Sequence, residues 1–163
     1  MKKFLLVIVA LFCVSASASA KNLVDVAANS RCSLGLRVGS GAELVGECFY
    51  AKDVYVEGRL GYNWGSGFSF TAFHAWNPFD WAWTPKLGWW FFDYGVGASV
   101  GVGNHHVGVG VAGVAKFGIL FKKVPIRLAV DVTPRVGLSI YGGGVGFWRT
   151  DLLNGGLSAT YCF

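Results

Sequence analysis

The chain has 163 residues, 53% of them hydrophobic and only 14% charged, with 24 glycines and a formal net charge of +5. So small and scattered a basic excess excludes a nucleic-acid-binding surface, and the glycine content argues against long helices. The length suits one domain.

In chain order, Lys2 and Lys3 form a charged n-region, Phe4 to Val14 an apolar run, and Ser15 to Ala20 (SASASA) a small-residue cleavage region. This pattern predicts a signal peptide over 1–20, export by the general secretory route, and a single domain over 21–163. The apolar run, about eleven residues, is too short to cross a bilayer as a helix. Cys13 lies inside that run with Phe12 before it, where a lipidation site wants a small residue. Loss of the two leader lysines lowers the net charge from +5 to +3.

Eight stretches of strand length follow: 31–38, 42–50, 54–63, 68–76, 87–103, 106–121, 126–137 and 156–163. Period-2 alternation marks them. In the third, Val54, Val56, Leu60 and Tyr62 oppose Tyr55, Glu57, Arg59 and Asn63; in the seventh, Ile126, Leu128, Val130 and Val132 oppose Arg127, Ala129, Asp131, Thr133 and Arg135. The last stretch ends on Tyr161, Cys162 and Phe163, an alternating strand closed by an aromatic residue.

One face of these strands is Phe, Val, Ile and Trp; the other mixes both charge signs with Gly, Ser and Thr. In water the apolar face would be a large sticky patch. Against lipid it is the expected exterior, with the polar face lining a lumen. An open sheet edge cannot face lipid, so the sheet must close. The expected fold is therefore all-β, a closed eight-stranded antiparallel up-and-down transmembrane β-barrel. Trp76, Trp81, Trp83, Trp89 and Trp90 crowd one turn, with Trp64 and Trp148 near turns on the other side, as interfacial aromatics do. Turns near 51–53, 77–86 and 122–125 then face the periplasm. Loops near 39–41, 65–67, 104–105 and 141–155 face outward, and only the last is long.

Turn lengths fix the register. A three-residue Gly39-Ser40-Gly41 loop sets Arg37 opposite Glu43 and Cys32 opposite Cys48. A two-residue Asn104-His105 turn sets Asp93 opposite Lys116, and Val124 in the next turn sets Lys116 opposite Asp131. Lys116 is thus expected between two aspartates. The inward charges are Arg37, Glu47, Glu57, Arg59, Asp93, Lys116, Arg127, Asp131 and Arg135, with Glu43 at the rim. A buried unpaired charge costs several kcal/mol, so they should neutralise one another. An eight-stranded lumen is narrow enough for side chains to fill. A plugged, charge-paired interior follows, with a narrow water, proton or ion path as the variant reading.

Cys32 and Cys48 could form a disulfide, which the envelope permits; the favoured reading leaves Cys32, Cys48 and Cys162 as small buried residues, because strand pairing often strains a disulfide. His74 has only Ala72 and Trp76 beside it on its face. His105 and His106 sit at a turn, with Asp151 and Ser40 on other loops. No base, orienter and nucleophile converge, and no further ligand completes a metal site. Gly142-Gly143-Gly144 and the glycines from Gly95 to Gly103 precede no helix, so they read as room for long inward side chains, not as a phosphate cradle. No cofactor, metal or catalytic residue is assigned.

The stretches EGRLGYNWGSGFSFTAFHAW (Glu57 to Trp76), WWFFDYGVGAS (Trp89 to Ser99), VPIRLAVDVTP (Val124 to Pro134) and the terminal SATYCF resemble small outer-membrane β-barrels of the Bacteroidetes, and more broadly the OmpA/OmpX-like eight-stranded class. The resemblance covers nearly the whole mature chain, although cysteines at 32, 48 and 162 depart from its usual pattern. It implies a Gram-negative outer-membrane location, outer-membrane lipid as surroundings, and delivery to the barrel-assembly machinery through Phe163. It implies fold better than role. The expectation is a monomeric, non-enzymatic barrel serving envelope integrity. Surface adhesion through loop 141–155, with Phe147, Trp148 and Arg149 as contacts, is the second reading; a lipid A-modifying enzyme or a narrow pore is the third.

Overall fold

A computed structural model describes residues 31–63, 67–78, 86–103, 106–148 (without the Trp148 side chain) and 154–163. The expected leader, Trp64, Trp81, Trp83, His105, Arg149 and Asp151 lie outside the described residues.

Among the described residues, alternating side chains and short turns produce ten strand segments: β1 (Cys32–Val38), β2 (Gly41–Ala51), β3 (Val54–Asn63), β4 (Gly67–Trp76), β5 (Gly88–Val102), β6 (His106–Phe121), β7 (Ile126–Thr133), β8 (Arg135–Tyr141), β9 (Gly144–Trp148) and β10 (Asn154–Cys162). They make an eight-stranded, closed, antiparallel barrel. The counts differ because two staves are each split in two. β7 and β8 pair with β6 in one continuous register. Pro134 interrupts them, since proline brings no N–H to the ladder. Its carbonyl still accepts a bond from the Gly113 N–H at 2.9 Å. A methyl group in place of the Gly113 hydrogen would touch the Pro134 ring at 3.4 Å, an ordinary van der Waals contact. Likewise β9 pairs with β8 and β10 with β7, so β9 and β10 belong to one stave.

The barrel closes where β10 meets β1. There the Phe163 N–H donates to the Cys32 carbonyl at 2.9 Å, and the Cys32 N–H to the Phe163 carbonyl at 3.4 Å. Chain entry and exit therefore lie at one end, called here the lower end.

The expected pairings Val38 with Ala42, Asp93 with Lys116 and Lys116 with Asp131 are all present. Gly67, at the upper end of β4, has φ of 101°, a left-handed backbone that glycine adopts without strain. A side chain there would also meet the Val102 carbonyl.

The long loop expected at 141–155 is not a loop over its first half. The seventh stave runs on to Tyr141, turns at Gly142-Gly143 and returns as β9. Leu138 pairs with Phe147, and Ile140 with Val145. Continued alternation carries the ladder on, and paired glycines supply the tight turn.

Every stave keeps one face inward. On β5, Asp93, Gly95, Ser99 and Gly101 are buried, while Tyr94, Val96, Val100 and Val102 are exposed. On β7, Arg127, Ala129, Asp131 and Thr133 are buried, while Leu128, Val130 and Val132 are exposed. The usual globular arrangement is inverted: charges fill the centre and hydrocarbon covers the outside.

Candidate functional site

The barrel brings ten inward charges together: Arg37, Glu43, Glu47, Glu57, Arg59, Asp93, Lys116, Arg127, Asp131 and Arg135, each almost wholly buried. Five are positive and five negative. Glu43 is not at a rim; three arginines close over it, and it is 2% exposed. On the β1 side the neighbouring stave continues above Leu157, the partner of Val38, as far as Asn154, whose side chain and carbonyl hold Arg37 beside Glu43.

The ten groups form a string of alternating sign. At its lower part, Asp93 is paired with Arg127, and Arg127 reaches Glu47 at 2.9 Å. Lys116 joins Glu47 to Glu57. Glu57 pairs with Arg59, which reaches Asp131 at 3.3 Å. Asp131 accepts both Nε and Nη2 of Arg37, at 2.9 Å and 2.8 Å. Arg37 continues to Glu43 at 3.1 Å, and Glu43 to Arg135 at 3.0 Å. A 3.9 Å contact between Arg59 and Glu43 links the upper part crosswise.

The sequence expectation for Lys116 needs correction. Its backbone does lie between Asp93 and Asp131, yet its ammonium goes to Glu47 and Glu57 on β2 and β3. A lysine stem long enough to cross a narrow lumen takes partners from the far wall, and Asp93 and Asp131 are occupied by arginines. Planar guanidinium groups suit two-oxygen recognition better than an ammonium does.

Uncharged groups add to the shell. Ser33 donates to Glu47 at 2.8 Å, and the Tyr55 hydroxyl donates to Asp93 at 2.7 Å. Thr133 accepts from Arg59 at 2.9 Å, and Asn154 accepts from Arg37. Phe91 lies under the Arg127 guanidinium, 3.8 Å from its carbon to the ring centroid, and Phe73 lies 5.0 Å from that of Arg59. Such contacts recover part of what desolvated cations lose. Sequence reasoning placed Tyr55 and Thr133 on the polar face but gave them no part. It missed Phe91 as an inward residue, because four consecutive aromatics, Trp89 to Phe92, blur the alternation there.

Outside the lumen, Cys32 and Cys48 form a disulfide on the outer wall. The favoured expectation of three small buried thiols is corrected: only Cys162 is free and buried. The register sets Cys32 opposite Cys48 with a Cα–Cα distance of 4.1 Å, close enough to be bridged.

His74 also faces outward and shares a hydrogen bond with the Tyr50 hydroxyl at 3.1 Å. With Trp76 and Tyr94 it makes an aromatic row near the lower end. His106 packs on Tyr141 near the upper end. Of the three residues proposed as surface contacts, Phe147 lies on β9 and is 63% exposed; Arg149 and the Trp148 side chain are outside the described residues. Among the described residues no three His, Cys, Asp or Glu side chains are grouped to hold a metal ion.

No protein-family model, curated protein or solved structure matches the chain. The architecture itself is consistent with the OmpA/OmpX-like class.

Proposed function

We propose that this chain is an integral protein of the bacterial outer membrane, a monomeric barrel with a plugged lumen that contributes to the structure and integrity of the envelope. One observation carries the reading: the molecule is inverted, with ten neutralising charges at its centre and Leu, Val, Ile and Phe exposed around its circumference. Water would not tolerate that exterior, and hydrocarbon requires it. A closed ladder leaves no stave edge open to lipid. The dimensions agree. The 15 residues of β5, at about 3.3 Å each and tilted roughly 40°, rise about 38 Å along the axis, more than the ~25 Å apolar band such barrels need. A place among the small Bacteroidetes barrels belongs to the same proposal and rests on the sequence stretches quoted above.

The charge string supports a plug. An ion entering the lumen would have to separate desolvated pairs, and breaking one such pair costs about 3–5 kcal/mol. The test is to purify the full chain in detergent, confirm its heat-dependent mobility shift on a gel, and reconstitute it in planar bilayers. A folded barrel without steady single-channel steps is expected. A chain that stays dissolved and folded without detergent overturns the membrane reading; sustained conductance overturns the plug.

Adhesion is the second reading. It is favoured by the β8–β9 hairpin, which carries exposed Val145 and Phe147 at the end opposite the termini. Cells carrying the Val145→Ser/Phe147→Ser variant should then lose a binding phenotype while keeping a folded barrel. For the lipid A-modifying alternative, an unchanged lipid A mass spectrum in a deletion strain would remove it.

A further inference from the structure

The ten lumen charges cancel, so the net charge of the molecule lies elsewhere. Among the described residues six charged side chains stand outside the lumen network: Arg31, Lys52, Asp53, Lys86, Lys122 and Lys123. All six are at the lower end: before β1, in the β2–β3 turn, before β5 and in the β6–β7 turn. Five are cations and one is an anion, a net +4. Lys122 leans on the Trp89 ring, 5.2 Å from its centroid. The other four cations are exposed and spread around the rim.

The upper end is different. No Asp, Glu, Lys or Arg among the described residues lies in an upper turn. The connecting stretches Trp64-Gly65-Ser66 and Asn104-His105 contain none either. Outside the described residues, Asp80 falls between β4 and β5; Arg149 and Asp151, between β9 and β10, offset each other in formal charge, as do Lys21 and Asp25 before β1.

The lower cations also keep apolar company. Exposed Leu87 follows Lys86, exposed Val124 follows Lys123, and exposed Tyr50 stands two residues before Lys52. Arg31 adjoins Cys32, whose backbone is bonded to exposed Phe163. Each cation thus stands beside the last hydrocarbon of the outer wall. An acidic polymer in water would match the cations and leave that hydrocarbon wet. The boundary of a phospholipid leaflet offers both partners, acyl chain above and phosphate below, and long basic side chains reach from one to the other.

We propose that the lower rim is a docking surface for an anionic phospholipid leaflet, and that this one-sided charge sets the direction in which the barrel enters the membrane. The inference rests on the membrane reading. An ionised side chain is expensive to carry through hydrocarbon. The upper turns have no such cargo among the described residues, so they cross. The rim stays on the side of entry, where anionic headgroups hold it. Each basic group near an anionic surface strengthens attachment by about fivefold, and salt screens that hold.

The urea-unfolded full chain is diluted into vesicles of phosphatidylcholine, alone or mixed with phosphatidylglycerol, and entry is followed by the gel mobility shift. Entry at least about tenfold faster with phosphatidylglycerol is expected, and about 1 M salt should erase the advantage. The Arg31→Glu/Lys52→Glu/Lys86→Glu/Lys123→Glu variant, checked for folding in detergent, should lose the advantage and still enter phosphatidylcholine at the wild-type rate. Direction is read in Gly143→Cys/Cys162→Ala with a membrane-impermeant maleimide. Gly143 has open space at its Cβ position and no left-handed φ, so it accepts the new thiol. That thiol should be protected until the vesicles are lysed. Adding Gly142→Lys, also in open space, should slow entry into both kinds of vesicle. A charge-reversed variant that keeps the advantage, or a thiol labelled as readily before lysis as after, overturns the proposal. So does binding of the detergent-solubilised barrel to polyglutamate with no preference between the vesicles, which would assign the rim to an acidic polymer. A chain that enters both kinds of vesicle equally sinks this inference alone; one that folds and stays in the aqueous phase sinks the membrane reading beneath it.

Discussion

Glu47 and Leu44 lie three residues apart on β2, one facing the lumen and the other the outer wall. Glu47 accepts from Ser33, Lys116 and Arg127, so three other staves must deliver particular atoms to it. Leu44 is 44% exposed and pairs with Leu36 and Leu60, either of which another hydrocarbon could replace. The inside is therefore specified atom by atom, and the outside only by polarity. Charges in a buried lumen are stable only when they are paired. A hydrocarbon wall has no donors or acceptors to satisfy. The two faces should thus respond oppositely to substitution: inside, chemistry and position both matter; outside, only chemistry does.

The sharpest way to break this contrast is Lys116→Met. It leaves Glu47 and Glu57 facing one another in the lumen with Arg127 and Arg59 as their remaining cations. Removing one partner from a buried pair costs about 3–5 kcal/mol. A large fall in the denaturant midpoint of the purified barrel is expected, read by the gel mobility shift. Adding Glu57→Gln should restore part of it, since contacting residues typically couple by about 0.5–3 kcal/mol. A double variant no better than additive would mean that the string does not act as a unit.

The second test crosses the wall. Leu60→Arg puts a cation among exposed hydrocarbon on β3, 56% exposed in the native chain. In a bilayer this should cost about 2–4 kcal/mol at mid-depth, whereas Leu60→Val should be nearly silent. If Leu60→Arg were equally silent, the outer wall would not be facing acyl chains.

Much of this contrast is legible in the sequence, for a definite reason. Strand faces follow a strict period of two, and short turns transmit the register from stave to stave. The pairings of Arg37 with Glu43, Asp93 with Lys116 and Lys116 with Asp131 could therefore be read from turn length alone. Contacts across the lumen could not. Whether Lys116 reaches Asp131 beside it or Glu57 opposite depends on the lumen's width and on how far each side chain extends, which no local pattern encodes. The β8–β9 hairpin was obscured for another reason: Gly142 to Gly144 reads as a loop when the short ladder beyond it has only five residues. The disulfide lay between these cases, since register brings Cys32 to Cys48 but does not decide oxidation.

The third prediction concerns the cysteines, a bonded pair on the outer side of the contrast and a single thiol on the inner side. Cys32 and Cys48 staple β1 to β2 on the outer wall, beside the seam where β10 closes the barrel. Opening a loop of this size should remove about 3 kcal/mol by the chain-entropy account. Cys48→Ser, or reduction, should therefore lower the unfolding midpoint clearly. A Cys162→Ala variant on the lumen side, where the free thiol makes no bridge, should lower it by less. Equal effects would show that the thiol packing, not the crosslink, matters.

The smallest effect is expected at the upper hairpin, where neither rule applies strongly. Phe147 is 63% exposed and shares the outward face with Leu138, its partner on β8. Surface positions of this kind usually change stability by less than about 0.5 kcal/mol, so Phe147→Ser should leave the unfolding midpoint of the detergent-solubilised barrel almost unmoved. That makes it the cleanest probe of the boundary between wall and exterior. If Phe147 stands above the hydrocarbon, the variant's difference from wild type will be as small in bilayers as in detergent. A marked loss in bilayers alone would place β9 within the lipid, and the apolar wall would then extend higher than β1–β6 suggest.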